Sequence, residues 1–169
     1  MRYGVGRTRM ADIAAEAGVV RQTLYSFFKN KNEILCAAIR HYSDISLSEI
    51  RQEWERLEDL DDQLDVFFEH AIVASFAMIS ASPDARDMIG GYNASGKAET
   101  ERAQMEKINA WSEVLAAHQL SRNKKKISTE RLAEYIVLSS IGLRDQARDE
   151  QQLRILLEIQ KSAIIALLE

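Results

Sequence analysis

The stretch ADIAAEAGVVRQTLYSFFKNK, residues 11–31, contains two short helical patterns on either side of one glycine, Gly18. Ala14 is small enough for two helices to cross closely, and Gly18 can adopt the left-handed conformation that ends a helix. Two short helices joined by a tight glycine-containing turn are typical of a helix-turn-helix. The apolar residues expected to pack on the inner faces are Ile13, Ala17, Val19, Leu24 and Phe27.

The outward positions of the second short helix carry hydrogen-bonding side chains, which suit base edges and phosphates. Residues 1–42 contain seven Lys and Arg against three Asp and Glu, a net charge of +4 in a chain whose total is −4. A basic N-terminal segment in an otherwise acidic chain indicates that this segment binds an anion. The alternative is an ordinary helical hairpin with a solvated polar face, and only the combination of features favours DNA binding.

The composition predicts an all-α protein with a buried core. The 169 residues are 46% hydrophobic and include one proline, Pro83, and seven glycines, and few breakers among many good helix formers favour helices. The single cysteine, Cys36, is interpreted as a small buried hydrophobe. The longest apolar stretch, residues 71–81, is too short to span a bilayer. With no signal peptide at the start, the prediction is a cytoplasmic protein without membrane contact.

Capping residues and helix breakers divide the chain into a series of expected helices. We expect helices at about 8–17 with Thr8 as the N-cap, 20–28, and 30–56 with Asn30 and Glu33 in a capping box. Further helices are expected at about 63–80, 97–118, 129–147 and 150–168, the last capped by Asp149 with Gln152 in the box position.

The segment TRMADIAAEAGVVRQTLYSFFKNKNEIL, residues 8–35, resembles the DNA-binding signature of TetR-family transcriptional regulators. The resemblance implies a helix-turn-helix DNA-binding domain over residues 1–42 and a helical effector-binding and dimerisation domain over residues 43–169. The matching residues are Thr8, Asp12, Ile13, Ala14, Ala17, Gly18, Val19, Thr23, Leu24, Tyr25, Phe28, Lys31 and Leu35.

The resemblance also implies which side chains meet DNA. Thr8 and Arg9 would lie at a helix start against phosphate, where free amides favour an anion. Arg21, Gln22 and Thr23 would face base edges. Tyr25 and Lys31 would bind the phosphate backbone. The expected DNA-binding residues are Thr8, Arg9, Arg21, Gln22, Thr23, Tyr25, Ser26, Lys29 and Lys31.

Two features depart from the family pattern. Val20 stands where the cap of the recognition helix is often Ser, so one backbone amide loses a side-chain partner. The family has a full helix before this motif, and this chain begins about where that helix should end. The chain is therefore expected to lack the N-terminal helix that precedes this motif in the family.

The middle helices are rich in bulky apolar side chains, which either form ordinary core or line a cavity between helices. The resemblance implies an effector pocket here, and its apolar lining predicts a small hydrophobic effector. Glu69, His70 and Asn93 are candidate polar anchors, although surface positions are the commoner outcome. The expected pocket residues are Phe68, Ile72, Phe76, Met88, Tyr92, Met105, Ile108 and Trp111.

The last two helices are apolar on more than one face, so each is expected to be buried on two sides, one of them against a second copy. One stripe of the last helix runs through Leu153, Leu157 and Ile164, and a second runs through Ile155, Ile159, Ala163 and Ala166. A deeply buried helix in a monomer is the alternative. The expected dimer interface comprises Tyr135, Ser139, Gly142, Leu153, Leu156, Leu157, Gln160 and Ile164.

Catalysis has little support. The three histidines, His41, His70 and His118, form no metal-ligand pair with nearby acids, and nucleophile, base and oxyanion donors cannot be assembled. The prediction is therefore no enzyme, no metal and no cofactor. The sequence favours a ligand-responsive repressor that binds a palindromic operator as a homodimer. The alternative is a helical ligand-binding or interaction protein whose DNA-reading domain is vestigial.

Overall fold

The computed structural model describes residues 8–81, 93–118 and 127–168, and the regular elements among them are all helical. The all-α prediction is confirmed. The chain forms two compact units, Met1–Ser43 with Met78–Arg102, and Asp44–Ala77 with Ala103–Glu169. The stretch Met78–Arg102 belongs to the first unit, which the predicted boundary at residue 42 did not include. Pro83 lies outside the described residues.

The first unit begins with two seven-residue helices, α1 at Met10–Glu16 and α2 at Arg21–Phe27. Gly18 joins them with φ of +66°. The amide of Gly18 donates to the carbonyl of Ala15 at 3.2 Å, and that of Val19 donates to Ala14 at 3.0 Å. This pair of bonds is the Schellman arrangement that closes a helix through a left-handed residue. The glycine turn predicted from the sequence is confirmed.

Helix α1 starts one residue later than the sequence suggested. Its N-cap is Arg9, whose backbone amide donates to Asp12 Oδ2 at 2.8 Å. Thr8 is therefore not the cap, and the correction follows from Asp12, a carboxylate in the first turn that accepts from the cap amide. Helix α2 has Val20 at its N-cap with no side-chain hydrogen bond, as expected for that residue.

Helix α3, Lys31–Trp54, begins with the expected cap. The amide of Glu33 donates to Asn30 Oδ1 at 3.1 Å, and Glu33 Oε2 accepts from the amide of Lys29 at 2.7 Å. The carboxylate therefore reaches one residue farther back than a standard capping box, because it satisfies the amide before the cap.

The core of the first unit is smaller than predicted. Ala14 and Leu24, at 1% and 8% exposure, are buried where α1 and α2 cross. Ala17 and Val19 are exposed, and Phe27 is 75% exposed. The inward assignment of these three residues is wrong, because Ala17 and Val19 lie beyond the end of α1 and Phe27 is the last residue of α2.

The second unit contains the rest of α3, then α4 at Leu60–Phe67, a π-helical turn at Phe68–Val73, and the part of α5 (Ala74–Ala81) as far as Ala77. Helix α6 spans Ala94–Ala117 and belongs to this unit from Ala103 onward, while α7 spans Thr129–Gln146 and α8 spans Glu150–Leu168. The core of the second unit is one continuous cluster that includes the side chains of Ile50, Trp54, Leu64, Phe67, Ile72, Trp111, Leu115, Leu132, Ile136, Leu153, Leu157 and Ile164.

Helical structure is continuous from Leu60 to Ala81, which makes 22 residues with a mean hydropathy of 1.5 in the most apolar window. By length and composition this helix is sufficient to cross a membrane, so the sequence argument from residues 71–81 alone was incomplete. However, Leu64, Phe67 and Ile72 are at most 1% exposed within the core. Burial of this kind is that of a central helix in a globular unit.

Helices α7 and α8 pack against each other through a buried polar network. Gln160 is 5% exposed, and its Nε2 donates to Ser139 Oγ at 2.7 Å and to the carbonyl of Ile136 at 3.2 Å. Ser140 Oγ lies 3.1 Å from Gln160 Oε1. Because these buried groups are satisfied only in one alignment, the network fixes the register of the two helices.

Candidate DNA interface, effector region and pairing face

Helix α2 presents an exposed polar face in the first unit. Arg21, Gln22, Thr23 and Tyr25 are exposed, with Tyr25 at 47%. Among the residues that the structure describes, these four side chains make no hydrogen bond or ion pair. Their donors and acceptors are therefore available to another molecule, while Leu24 on the opposite side anchors the helix.

The other predicted DNA-binding residues surround this face with differing accessibility. Ser26 is exposed, and its hydroxyl donates to the carbonyl of Thr23 at 2.7 Å, so only its oxygen lone pairs face outward. Arg9 and Lys29 are exposed, and Lys31 is half-buried at the start of α3. Thr8 is only 9% exposed and is the least accessible of the nine predicted DNA-binding residues.

The predicted effector residues fall into three groups. Phe68, Ile72 and Trp111 are buried in the core of the second unit, and Phe76 and Ile108 are half-buried beside it. Met105 is 55% exposed and does not line the interior, because it lies on the outer face of α6. Met88 and Tyr92 lie outside the described residues.

Trp111 has an unusual polar group for its position. The side chain is 0% exposed, yet its Nε1 donor has no hydrogen-bond partner in the described part of the chain. The other indole, Trp54, donates to the carbonyl of Gln63 at 2.8 Å. A buried donor without a partner costs free energy and therefore calls for an explanation.

Two neighbouring clefts lie between α3 and α6 in the second unit, and sequence reasoning did not find them. Their volumes are about 580 and 300 Å³, and they share Arg51, Glu55 and Glu113. The smaller cleft is lined by Trp54, and also by His118, whose Nε2 lies 2.7 Å from Gln63 Oε1. Periodicity could not predict these clefts, because their walls combine polar and apolar residues from helices that are far apart in the chain.

The three residues predicted as polar anchors for a ligand make contacts within the protein instead. His70 lies in the π-helical turn, with Nδ1 3.3 Å from Glu49 Oε2 and Nε2 2.8 Å from Glu53 Oε1. Glu69 accepts from both terminal nitrogens of Arg154, and this hydrogen bonding lowers the pKa of the Glu69 carboxyl. Asn93 Oδ1 accepts from the amide of Gly96 and caps α6.

An acidic cluster at the start of α4 is partly paired with a lysine of α8. Asp61, Asp62 and Asp65 are exposed and place carboxylate oxygens within 4.8 Å of one another. Lys161 of α8 lies 3.3 Å from Asp61 and 2.7 Å from Asp65. Burial disfavours the Lys161 ammonium, but the hydrogen bonds that it donates to Asp65 and Asp61 outweigh this effect and raise the pKa of Lys161 to about 12. The cluster therefore fastens α4 to α8.

The predicted dimer residues divide between two faces of α7 and α8. Leu153, Leu157, Gln160 and Ile164 are at most 5% exposed inside the protomer, so their assignment to an outer interface is corrected. The physical reason is that this stripe of α8 faces α7 and the core. Ser139 and Leu156 are half-buried, and Tyr135 and Gly142 are exposed.

The second stripe is the one that faces outward. Ile155 and Ile159 of α8 are 55% and 61% exposed, and Tyr135 and Leu138 of α7 are 46% and 45% exposed. Large apolar side chains that gather on two adjacent helices mark an interaction surface. We call these four residues the pairing face.

Residues 1–38 match the family described as "Bacterial regulatory proteins, tetR family". The N-terminal helix-turn-helix segment therefore matches the DNA-binding region of the TetR family. The resemblance stated from the sequence is thereby confirmed, with the exposed helix α2 lying inside the matched segment. No curated protein matches the sequence.

Solved structures of transcriptional regulators share the fold along nearly the whole chain. The fatty acid degradation regulator FadR from Bacillus halodurans has a TM-score of 0.71 at 16% identity, covering 96% of this chain and 86% of its own. FadR from Bacillus subtilis, in complex with stearoyl-CoA, has a TM-score of 0.67 at 18% identity, covering 98% and 89%. A transcriptional regulator from Cytophaga hutchinsonii has a TM-score of 0.71 at 16% identity, covering 98% and 89%. At these identities the likeness concerns the fold alone.

Proposed function

We propose that this TetR-type protein is a ligand-responsive transcriptional regulator, most simply a repressor, that binds a palindromic operator as a homodimer. The observation that carries the proposal is the exposed face of α2, where Arg21, Gln22, Thr23 and Tyr25 have no partner in the described chain. Buried Leu24 and the Gly18 turn hold α2 against α1, so that this face points away from the packed side of the helix. Side chains of these types bind base edges and phosphates in the major groove.

A twofold dimer is part of the proposal because one short helix contacts only half of an operator. Helix-turn-helix dimers place two recognition helices about 34 Å apart on successive turns of the groove. The pairing face supports self-association, because a second copy would cover Ile155 and Ile159, which are exposed in the single chain. An isologous contact between two α7–α8 pairs is a four-helix interface.

An apolar effector would act through the second unit. Phe68, Ile72 and Trp111 provide an aromatic and aliphatic interior, and the unpartnered Trp111 Nε1 is a donor for a ligand oxygen. The Bacillus subtilis FadR structure contains stearoyl-CoA, and we include long-chain acyl groups among the candidate ligands. Such an effector changes regulation only if it binds the DNA-free state better than the DNA-bound state.

The primary test is selection from a random pool of duplexes at near-physiological salt with the wild type, Arg21→Ala and Arg56→Ala. Arg56 is the matched control because it is exposed in the second unit. We expect the wild type and Arg56→Ala to enrich the same palindrome. Arg21→Ala should lose about 1–3 kcal/mol of binding and relax one base preference. A folded protein that enriches no sequence would support the alternative, a ligand-binding protein with a vestigial DNA-reading domain.

The effector proposal has its own test, since the chain contains two tryptophans and both lie in the second unit's core. We expect stearoyl-CoA to change the intrinsic fluorescence of the wild type and free coenzyme A to leave it unchanged. A ligand that changes fluorescence but leaves operator affinity unaltered would show binding without regulation.

A further inference from the structure

We propose that Val20 is a base-reading residue that recognises the 5-methyl group of a thymine in each operator half-site. The proposal rests on the DNA-binding function proposed above and names a further specificity-determining side chain for it. From the sequence, Val20 was interpreted only as an N-cap residue whose side chain cannot accept a backbone hydrogen bond. Its place in the structure gives it a different role.

The side chain of Val20 is open to solvent beside the polar face of α2. It is 70% exposed, more than any large hydrophobic residue among the described ones except Phe27. It directly precedes Arg21 and Gln22, both of them exposed. A large apolar group in this position gains nothing from a phosphate, whereas burial against another apolar group is favourable.

The backbone holds Val20 in one place. The amide of Val19 donates to the carbonyl of Ala14 at 3.0 Å, and the carbonyl of Val20 accepts from the amide of Leu24 at 3.3 Å. Val20 itself has extended backbone angles, with φ of −72° and ψ of 147°. Because a β-branched side chain has a restricted χ1, little conformational freedom remains for it to lose on binding.

The chemistry of the major groove supplies one apolar partner among the four bases. In a helix-turn-helix, the start of the second helix contacts base edges. There A, G and C present only hydrogen-bonding groups, whereas T also presents the C5-methyl group. Phe27 is exposed too, but it lies at the other end of α2. Val19, next to Val20, is less exposed, at 39% against 70%, so Val20 is the apolar side chain better placed to distinguish T from the other bases.

The test replaces each thymine of the selected operator in turn with deoxyuridine, which lacks only the methyl group. The wild type should lose about fourfold in affinity per half-site at one thymine position, the value of one buried methyl group. Val20→Ala should bind the thymine duplex about as weakly as the wild type binds the uracil duplex, and should not distinguish the two. Val19→Ala, a matched valine at 39% exposure, should keep the wild-type distinction.

Val20→Ser guards against a folding artefact, since Ser at the N-cap accepts a backbone hydrogen bond and favours the helix. It too should lose the methyl dependence while remaining folded. Equal wild-type binding of all uracil and thymine duplexes would overturn the Val20 inference alone, and so would methyl dependence that survives in Val20→Ala. Failure to select any duplex would overturn the DNA-binding function together with it.

Discussion

The indole rings of Trp54 and Trp111 meet edge to face in the second unit, with centroids 4.6 Å apart and planes inclined by 60°. Phe67 adds a second edge contact, 5.5 Å from the ring of Trp111. Edge-to-face pairs contribute beyond the area that they bury. The two indoles differ in one respect, since Trp54 Nε1 donates to Gln63 at 2.8 Å and Trp111 Nε1 has no partner in the described chain.

That difference predicts unequal costs for the same substitution. Trp54→Phe removes a hydrogen bond and leaves the Gln63 carbonyl with one fewer donor, whereas Trp111→Phe removes an unsatisfied donor. We expect Trp54→Phe to destabilise the protein by about 1–2 kcal/mol more than Trp111→Phe. Urea denaturation followed by circular dichroism measures both. Equal losses would mean that Trp111 Nε1 is satisfied in solution.

The turn between α1 and α2 depends on a residue that tolerates positive φ. Gly18 has φ of +66°, and a Cβ there would meet nothing within 4 Å, so backbone strain alone determines the cost. We expect Gly18→Ala to destabilise by about 1–2 kcal/mol. Thermal unfolding by circular dichroism checks this.

Gly142 provides the matched control, because a Cβ there also meets nothing within 4 Å but the residue lies within helix α7. Gly142→Ala should raise helix stability by about 0.5–1 kcal/mol. If both substitutions shifted stability in the same direction, the strain argument for Gly18 would be wrong.

The pairing face predicts which substitution gives monomers. Ile159→Glu places a charge where a second copy would cover it, so we expect a folded monomer by analytical ultracentrifugation. Ile45→Glu is the control, since Ile45 is 45% exposed on α3, outside the pairing face, and should leave the dimer intact. Leu157, at 3% exposure, is part of the core, and Leu157→Glu should unfold the protein instead. An unchanged dimer in Ile159→Glu would place the interface elsewhere.

Glu99 in the first unit predicts a pH dependence. Its carboxylate pairs with Arg40 and accepts from Arg102 Nε at 3.1 Å. The hydrogen bond from Arg40 outweighs the opposing effect of burial, and with Arg102 it lowers the pKa of Glu99 below its ordinary value of 4.5. A lowered pKa stabilises the folded state above the unfolded pKa, and this stability is lost as the pH falls through the folded value.

We therefore expect Glu99→Gln to be less stable than the wild type by about 0.5–1 kcal/mol at pH 7, with the difference shrinking as the pH falls below 4.5 and disappearing once the pH is below the folded pKa of Glu99. Denaturant unfolding at several pH values measures it. Glu101→Gln serves as the control, because Glu101 is exposed on the same helix and pairs only loosely with Lys97 at 3.8 Å. A difference that persisted at low pH would mean that the substitution acts through packing rather than charge.

Local signals determined much of this protein. Gly18 predicted the turn, Asn30 with Glu33 predicted the start of α3, and the periodicity of apolar residues predicted the helices. Each of these depends on residues within a few positions of one another, so the covalent chain already brings the interacting groups together. The outward positions Arg21, Gln22 and Tyr25 followed from the same local geometry, whereas Thr23 was implied by the family resemblance.

Only the tertiary structure decided which side of an apolar helix faces the interior. The sequence showed two stripes on α8, but packing against α7 placed Leu157 and Ile164 inside and left Ile155 and Ile159 outside. The π-helical turn that carries His70 toward Glu49 and Glu53, and the unpartnered indole of Trp111, likewise depend on contacts between residues far apart in the chain. Periodicity identifies apolar faces, whereas the choice of partner for each face is a free-energy difference between whole packings of the chain.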